Sequence, residues 1–243
     1  MQKPTRKNSH KERIFSLPQN KIDFGYQTEH QGKTHEPLPK SIRNRIKQRM
    51  PMTAQQARVP LKKADGWHLS DDGKMIYRYG ATVLELWSMV PAHTYGDIVA
   101  WLPQHKILFV GDIGFFYVAP WCQNAHPSKW IEVCHTIDRM DVQTIVPGHG
   151  PLGGKAELAD MRDYLVLLKA EAKRRYDARM TAGAAAADIR MGKYDNWIGP
   201  ERIVLNVQRF YDEFGGTLTP AVNTAGIQRA TEEYNAARKA ASR

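Results

Sequence analysis

The sequence predicts an α/β layered fold, and three observations carry that expectation. Four short apolar runs follow one another between Lys74 and Asp112. A stretch of helical periodicity then separates them from one further apolar run, "DVQTIV". From about residue 155 onward helical spacing dominates. Strands, then helix, strand and helices, is the order of a sheet covered by helices.

The four runs are "KMIYRYG", "TVLELWSMV", "DIVAWLP" and "KILFVGD". They are rich in β-branched and aromatic residues and are joined by turns such as Gly80-Ala81 and "PQHK", as strands of a meander are. Their alternation suggests antiparallel pairing with one face buried. "HPSKWIEVCHTIDRM" reads as a helix, with Pro127 in its first turn and Ile131, Cys134 and Ile137 at helical spacing. A long helix is expected over 155–180, striped by Leu158, Met161, Leu165, Leu168, Ala172 and Tyr176 and ended by Gly183. Another begins at Pro200, with Ile203, Val204, Val207, Phe210 and Phe214 on one side. The pattern divides into a basic segment over 1–36, a domain over 37–220 and a terminal helix over 221–243.

Bulk properties narrow the class. The chain has 243 residues, 42% of them hydrophobic, enough for one domain with a real core. No run approaches the roughly 18 apolar residues that span a membrane, and no apolar region follows the basic N-terminus as in a secretory signal. Two cysteines without CxxC spacing argue against a disulfide scaffold and a thiolate zinc site. A cytoplasmic setting is the expectation. The net charge of +10 is uneven: residues 1–63 hold 15 Lys and Arg against 4 Asp and Glu, whereas the remaining 180 hold 20 against 21. The basic segment reads as a solvated leader or as an arm for nucleic acid or another polyanion. Its stretch "KSIRNRIKQRM" has no interleaved aromatics to stack bases, which favours the leader.

Three polar residues follow apolar runs beside glycine or proline: His93 after "ELWSMVPA", Asp112 closing "KILFVGD", and His149 in "VPGHGP". Each is expected on a tight turn at a strand end, where loops present functional groups from a rigid scaffold. Imidazole and carboxylate are ligands that zinc accepts outside thiolate sites. Cys122 and His126, in the loop after Asp112, are further residues of ligand type. "GFFYVAPWCQ", Gly114 to Gln123, reads equally as a pocket lining or a cover for the core.

Taken together, "HTYGD" at His93, "FVGD" at Asp112 and "PGHG" around His149, spaced by 19 and 37 residues, resemble the second half of the metallo-β-lactamase superfamily. Within it they are similar to the glyoxalase II-like hydrolases, from about residue 60 to 180. The resemblance implies an αββα sandwich, here incomplete, with the second sheet and its helices present and most of the first half missing. It implies that His93 binds a first zinc, that His149 binds a second, and that Asp112 bridges both. Hydrolysis of an ester, thioester or similar bond in a small-molecule substrate by metal-bound hydroxide would follow.

The upstream H-x-H-x-D-H motif of that family is absent. The nearest stretch, "HQGKTH", keeps His30 and His35 but has Gly32 and Thr34 at the other ligand positions. Three ligands would support one weak zinc site or none. A natural start upstream of Met1 would also suit the composition change. The alternative function is a non-catalytic remnant acting through partners, its basic arm on nucleic acid. Half a sandwich would leave an apolar sheet face, and a homodimer through that face is the partner expected.

Overall fold

The computed structural model describes residues 67–69 and 74–241. The basic segment, His30 and His35 lie outside the described residues.

Six strands form one sheet in chain order: β1 (Trp67–Leu69), β2 (Met75–Tyr79), β3 (Thr82–Ser88), β4 (Ile98–Leu102), β5 (Ile107–Phe115) and β6 (Thr144–His149). Neighbours from β1 to β5 pair antiparallel, which is the expected meander with one strand added at its start. β6 runs parallel to β5, reached through helix α1 (Pro127–Asp138), because a parallel neighbour requires a crossover. The remaining helices are α2 (Lys155–Asp177), α3 (Ala182–Asp188), α4 (Ile203–Phe214) and α5 (Thr224–Ala241).

The strand register separates the two faces. Ile76, Glu85, Trp101, Leu108 and Ile145 form one row across β2 to β6, with Leu108 and Ile145 fully buried. The adjacent row, Met75, Leu86, Ala100, Phe109 and Val146, lies on the opposite face and is also apolar, with Met75 and Phe109 exposed. Helices α1 and α2 bury Trp130, Val133, Cys134 and Ile137, and Leu158, Met161, Leu165, Leu168 and Ala172, in the same core. Tyr176, the last residue of the expected stripe, is only half-buried, while its neighbour Arg175 is buried and pairs with Glu171 and Asp188.

Two local expectations fail. Gly183 does not end the long helix: α2 stops at Asp177, with Arg179 in the left-handed region at φ 60°. Gly183 sits inside α3, where a Cβ would collide with the carbonyl of Ala230 on α5. Its use is close helix packing and not termination. Asp112 does not end its strand either. β5 runs on to Phe115, with Gly111 at φ 51° and register shifts against β6 on both sides of Gly111. Such an irregularity re-aims side chains at a strand that an unbroken ladder would hold in alternation.

The core also holds polar residues that periodicity did not reveal. Asn206, fully buried on α4, accepts from the Cys122 N–H at 3.0 Å and donates to the Pro120 carbonyl at 2.9 Å and to the Tyr164 hydroxyl at 3.2 Å. Arg209 donates to the carbonyls of Ala125 and Thr219 at 2.7 and 2.6 Å. Both tie the loop after β5 to α4. Replacing Asn206 with Leu leaves three buried groups without partners, so we expect a loss of about 3 kcal/mol in urea unfolding.

Candidate functional site

His93, Asp112 and His149 come from separate segments, and the fold brings them to one rim of the sheet. His149 closes β6, Asp112 lies in the irregular part of β5, and His93 lies in the β3–β4 loop, beyond the end of β3 at Ser88. His149 Nε2 stands 3.3 Å from Asp112 Oδ1, and His93 Nδ1 stands 3.9 Å from Asp112 Oδ2. The two imidazoles therefore address different oxygens of one carboxylate.

Each group is held by local chemistry. In "HTYGD" the aspartate serves the loop: Asp97 Oδ2 accepts from the backbone N–H groups of Thr94 and Ala92 at 2.9 and 3.2 Å, and Oδ1 accepts from the Thr94 hydroxyl at 2.8 Å. This is the self-bonded turn to which aspartate is suited. The Ala92 carbonyl accepts from the His126 N–H at 2.8 Å, fastening the loop to the start of α1. The glycines of "PGHG" have a steric role. A Cβ on Gly148 would collide with Asp112 Oδ1 and lie 2.9 Å from the Asp112 nitrogen. Gly150 has φ +92°, and a Cβ there would strike the Phe116 carbonyl. An imidazole can sit at this strand tip because both neighbours lack side chains.

Aromatic rings set the orientation of the imidazoles. His149 stacks on Phe115 with centroids 4.4 Å apart and planes 19° apart, and His93 meets Trp130 edge-on at 5.4 Å. Trp130 is fixed in turn by donating from Nε1 to the Ile113 carbonyl at 3.0 Å. Burial pulls the His93 pKa below the ordinary imidazole value, against the opposing pull of the Asp112 and Asp97 carboxylates. Burial thus favours the neutral ring, which has a nitrogen lone pair for a cation.

The three groups line a cavity of about 180 Å³ together with Phe115, Trp121 and Arg202. A larger cavity of about 430 Å³, formed by Tyr176, Asp177, Arg179, Met180, Thr181 and Tyr211, contains no histidine or cysteine. "GFFYVAPWCQ" does both things proposed for it: Phe115 and Trp121 face the small cavity, while Phe116, Val118, Ala119 and Cys122 are core. Cys122 and His126 do not line the cavity. Cys122 is fully buried, which pushes its thiol far above the ordinary range, and His126 lies against Tyr95 at the start of α1. Arg202 and Asn206 carried no motif or periodicity that singled them out, because their importance comes from residues more than 80 positions away.

For a cation the donors fit in kind and in part in spacing. Two ligands of a tetrahedral zinc, each about 2.0–2.2 Å from the metal, stand about 3.4 Å apart, which the His149–Asp112 pair matches at 3.3 Å. The 3.9 Å pair is wider. Among the described residues no three His, Cys, Asp or Glu side chains close into a metal-holding group. The donors form two pairs that share Asp112, each short of the three protein ligands usual for catalytic zinc.

Neither a protein-family model nor a curated protein matches the chain. Solved structures do. A metallo-beta-lactamase from Pontibacter korlensis is 26% identical over 38% of this chain and 46% of its own, with a TM-score of 0.36. The DIM-1 metallo-beta-lactamase is 24% identical over 42% and 45%, with a TM-score of 0.33. The stereoselective inverting sec-alkylsulfatase Pisa1 from Pseudomonas sp. is 17% identical over 68% and 27%, with a TM-score of 0.44. These are partial likenesses to metallo-beta-lactamases and to a sec-alkylsulfatase. In each case the match spans less than half of the solved protein. Within the described residues no helix is long and apolar enough to cross a membrane.

Two outcomes check this description of the site. Gly148→Ala should lower stability by about 2–3 kcal/mol in thermal unfolding, since either Asp112 or the strand tip must move. Burial raises the Cys134 thiol to about 12 and Cys122 further, so a disulfide reagent at pH 8 should find no reactive thiol in the native protein and two in urea.

Proposed function

We propose that this chain is a zinc-dependent hydrolase of the metallo-β-lactamase type, acting on an ester, thioester or related bond. The observation that carries the reading is the placement of Asp112 between two imidazoles, one facing each carboxylate oxygen. An aspartate kept for structure alone needs neither a glycine pressed against it at Gly148 nor a pair of histidines at its tips. His93, Asp112 and His149 would hold the metal.

When bound, zinc polarises the scissile bond and lowers the pKa of water. The chain's own groups do the rest. Asp112 supplies the negative charge of the site and an oxygen that accepts a hydrogen bond from the attacking water, orienting its lone pair toward substrate. His93, whose burial favours the neutral ring, offers one unprotonated nitrogen. Stacking on Phe115 prevents the His149 ring from turning away. Phe115 and Trp121 give the cavity apolar walls, which strengthen electrostatic contacts inside it.

Three donors that do not close into one group imply weak retention. Zinc titrated against a competing chelator should bind the wild type more weakly than nanomolar, and Asp112→Asn and His149→Ala should each weaken it at least tenfold. Ester or thioester hydrolysis should require added zinc and fall at least a hundredfold in Asp112→Asn. Undiminished turnover in that variant, or in the presence of chelator, would overturn the reading.

A further inference from the structure

The cavity that holds the two histidines and Asp112 has one cationic wall, Arg202. Arg202 closes the short 3₁₀ turn Pro200–Arg202 that leads into α4. Its Nη1 donates to the Ala119 carbonyl at 2.8 Å, and its Cζ lies 5.2 Å from the centre of the Trp121 ring. Gly199, at φ +73°, stands beside the guanidinium, where a Cβ would be 2.8 Å from Nε. Backbone, ring and glycine thus cradle this group in one place.

What the cradle lacks is an ion-paired carboxylate, the neighbouring Glu201 acting on the guanidinium only through its charge at a distance. No carboxylate among the described residues forms an ion pair with Arg202, whereas Arg175 pairs with both Glu171 and Asp188. Among the described residues only one of the five guanidinium N–H groups, on Nη1, has a protein acceptor. Arg209, the buried arginine of this helix region, is by contrast bound to three carbonyls. Burial lowers the Arg202 pKa, yet a guanidinium keeps its charge at neutral pH. A half-buried cation with open donors on a cavity wall is the arrangement that a bound oxyanion completes.

We propose that Arg202, held against Trp121, is an oxyanion-binding subsite of this cavity, taking a carboxylate, sulfate or phosphate group. The substrate class narrows accordingly, to small molecules with such a group next to the bond that is cleaved. This narrowing rests on the hydrolase reading, whereas the subsite itself does not. The negative charge of Asp112 in the same cavity directs the anion to the Arg202–Trp121 end. A space of about 180 Å³ suits the head of a small molecule.

The test has two arms, both on the full chain. In the first, acetate, sulfate and inorganic phosphate are titrated separately into chelator-treated protein by calorimetry and tryptophan fluorescence. Saturable binding of at least one, weakened tenfold or more in Arg202→Met and unchanged in Arg229→Met, which removes an exposed guanidinium outside the cavity, is expected. Arg202→Lys, which keeps the charge but loses the fork, should fall between them, and Trp121→Leu checks the cradle should the Met variant not fold. In the second arm, zinc-loaded protein is assayed with p-nitrophenyl acetate and with carboxylate-, sulfate- and phosphate-bearing aryl esters. Arg202→Met should raise KM for the matching anionic ester at least tenfold and leave the neutral ester unchanged.

Anion binding lost in Arg202→Met, with no ester hydrolysed by any form, would sink the hydrolase reading and uphold the subsite. Equal anion affinity in wild type, Arg202→Met and Trp121→Leu, or no anion binding at all, would overturn the subsite even if zinc-dependent hydrolysis is found.

Discussion

The contact on which the site depends is the approach of the β6 tip to the irregular part of β5. Gly148 passes so close to Asp112, and Gly150 to Phe116, that neither position has space for a side chain. Because the two backbones meet there, His149 and Asp112 face each other at 3.3 Å, and the Phe116 N–H donates to the His149 carbonyl at 2.9 Å. The stacking of His149 on Phe115 follows from the same approach. A turn tolerant of side chains would be a wider turn, and the imidazole would leave the carboxylate.

Behind that contact stands a second layer built from buried polar residues. Asp97 ties the loop that carries His93, while Asn206 and Arg209 tie the loop that carries Trp121 to α4. These residues replace the regular ladder that irregular segments lack: buried groups such as the Cys122 N–H and the Pro120 carbonyl find their partner in Asn206. The result is a small cavity with histidines and a carboxylate on one side and a stacked guanidinium on another. Hydrolysis of a substrate with an anionic group would use both sides.

Much of this was legible in the residues. The meander, α1, β6 and the apolar stripes of α2 and α4 follow from periodicity, because burial of one face imposes it locally. The motifs "HTYGD", "FVGD" and "PGHG" pointed to the three groups that meet. Gly183 was misread because a glycine after a helical run signals termination, whereas here it marks the contact with Ala230 on α5, 47 positions along the chain. Asp112 was misread as a strand end because a Gly-Asp pair is ordinarily a turn, and only the pairing of β5 with β6 shows the strand continuing.

By itself, then, the sequence determined most of the strands and helices, though not β1 or α3, and which side chains carry ligand chemistry, since both depend on near neighbours along the chain. Tertiary structure alone decided that Asp112 lies between two imidazoles, that Cys122 is enclosed in the core, and that Arg202 shares the cavity. Those outcomes depend on through-space distances between segments tens of residues apart, and such distances are set by the packing of the whole core.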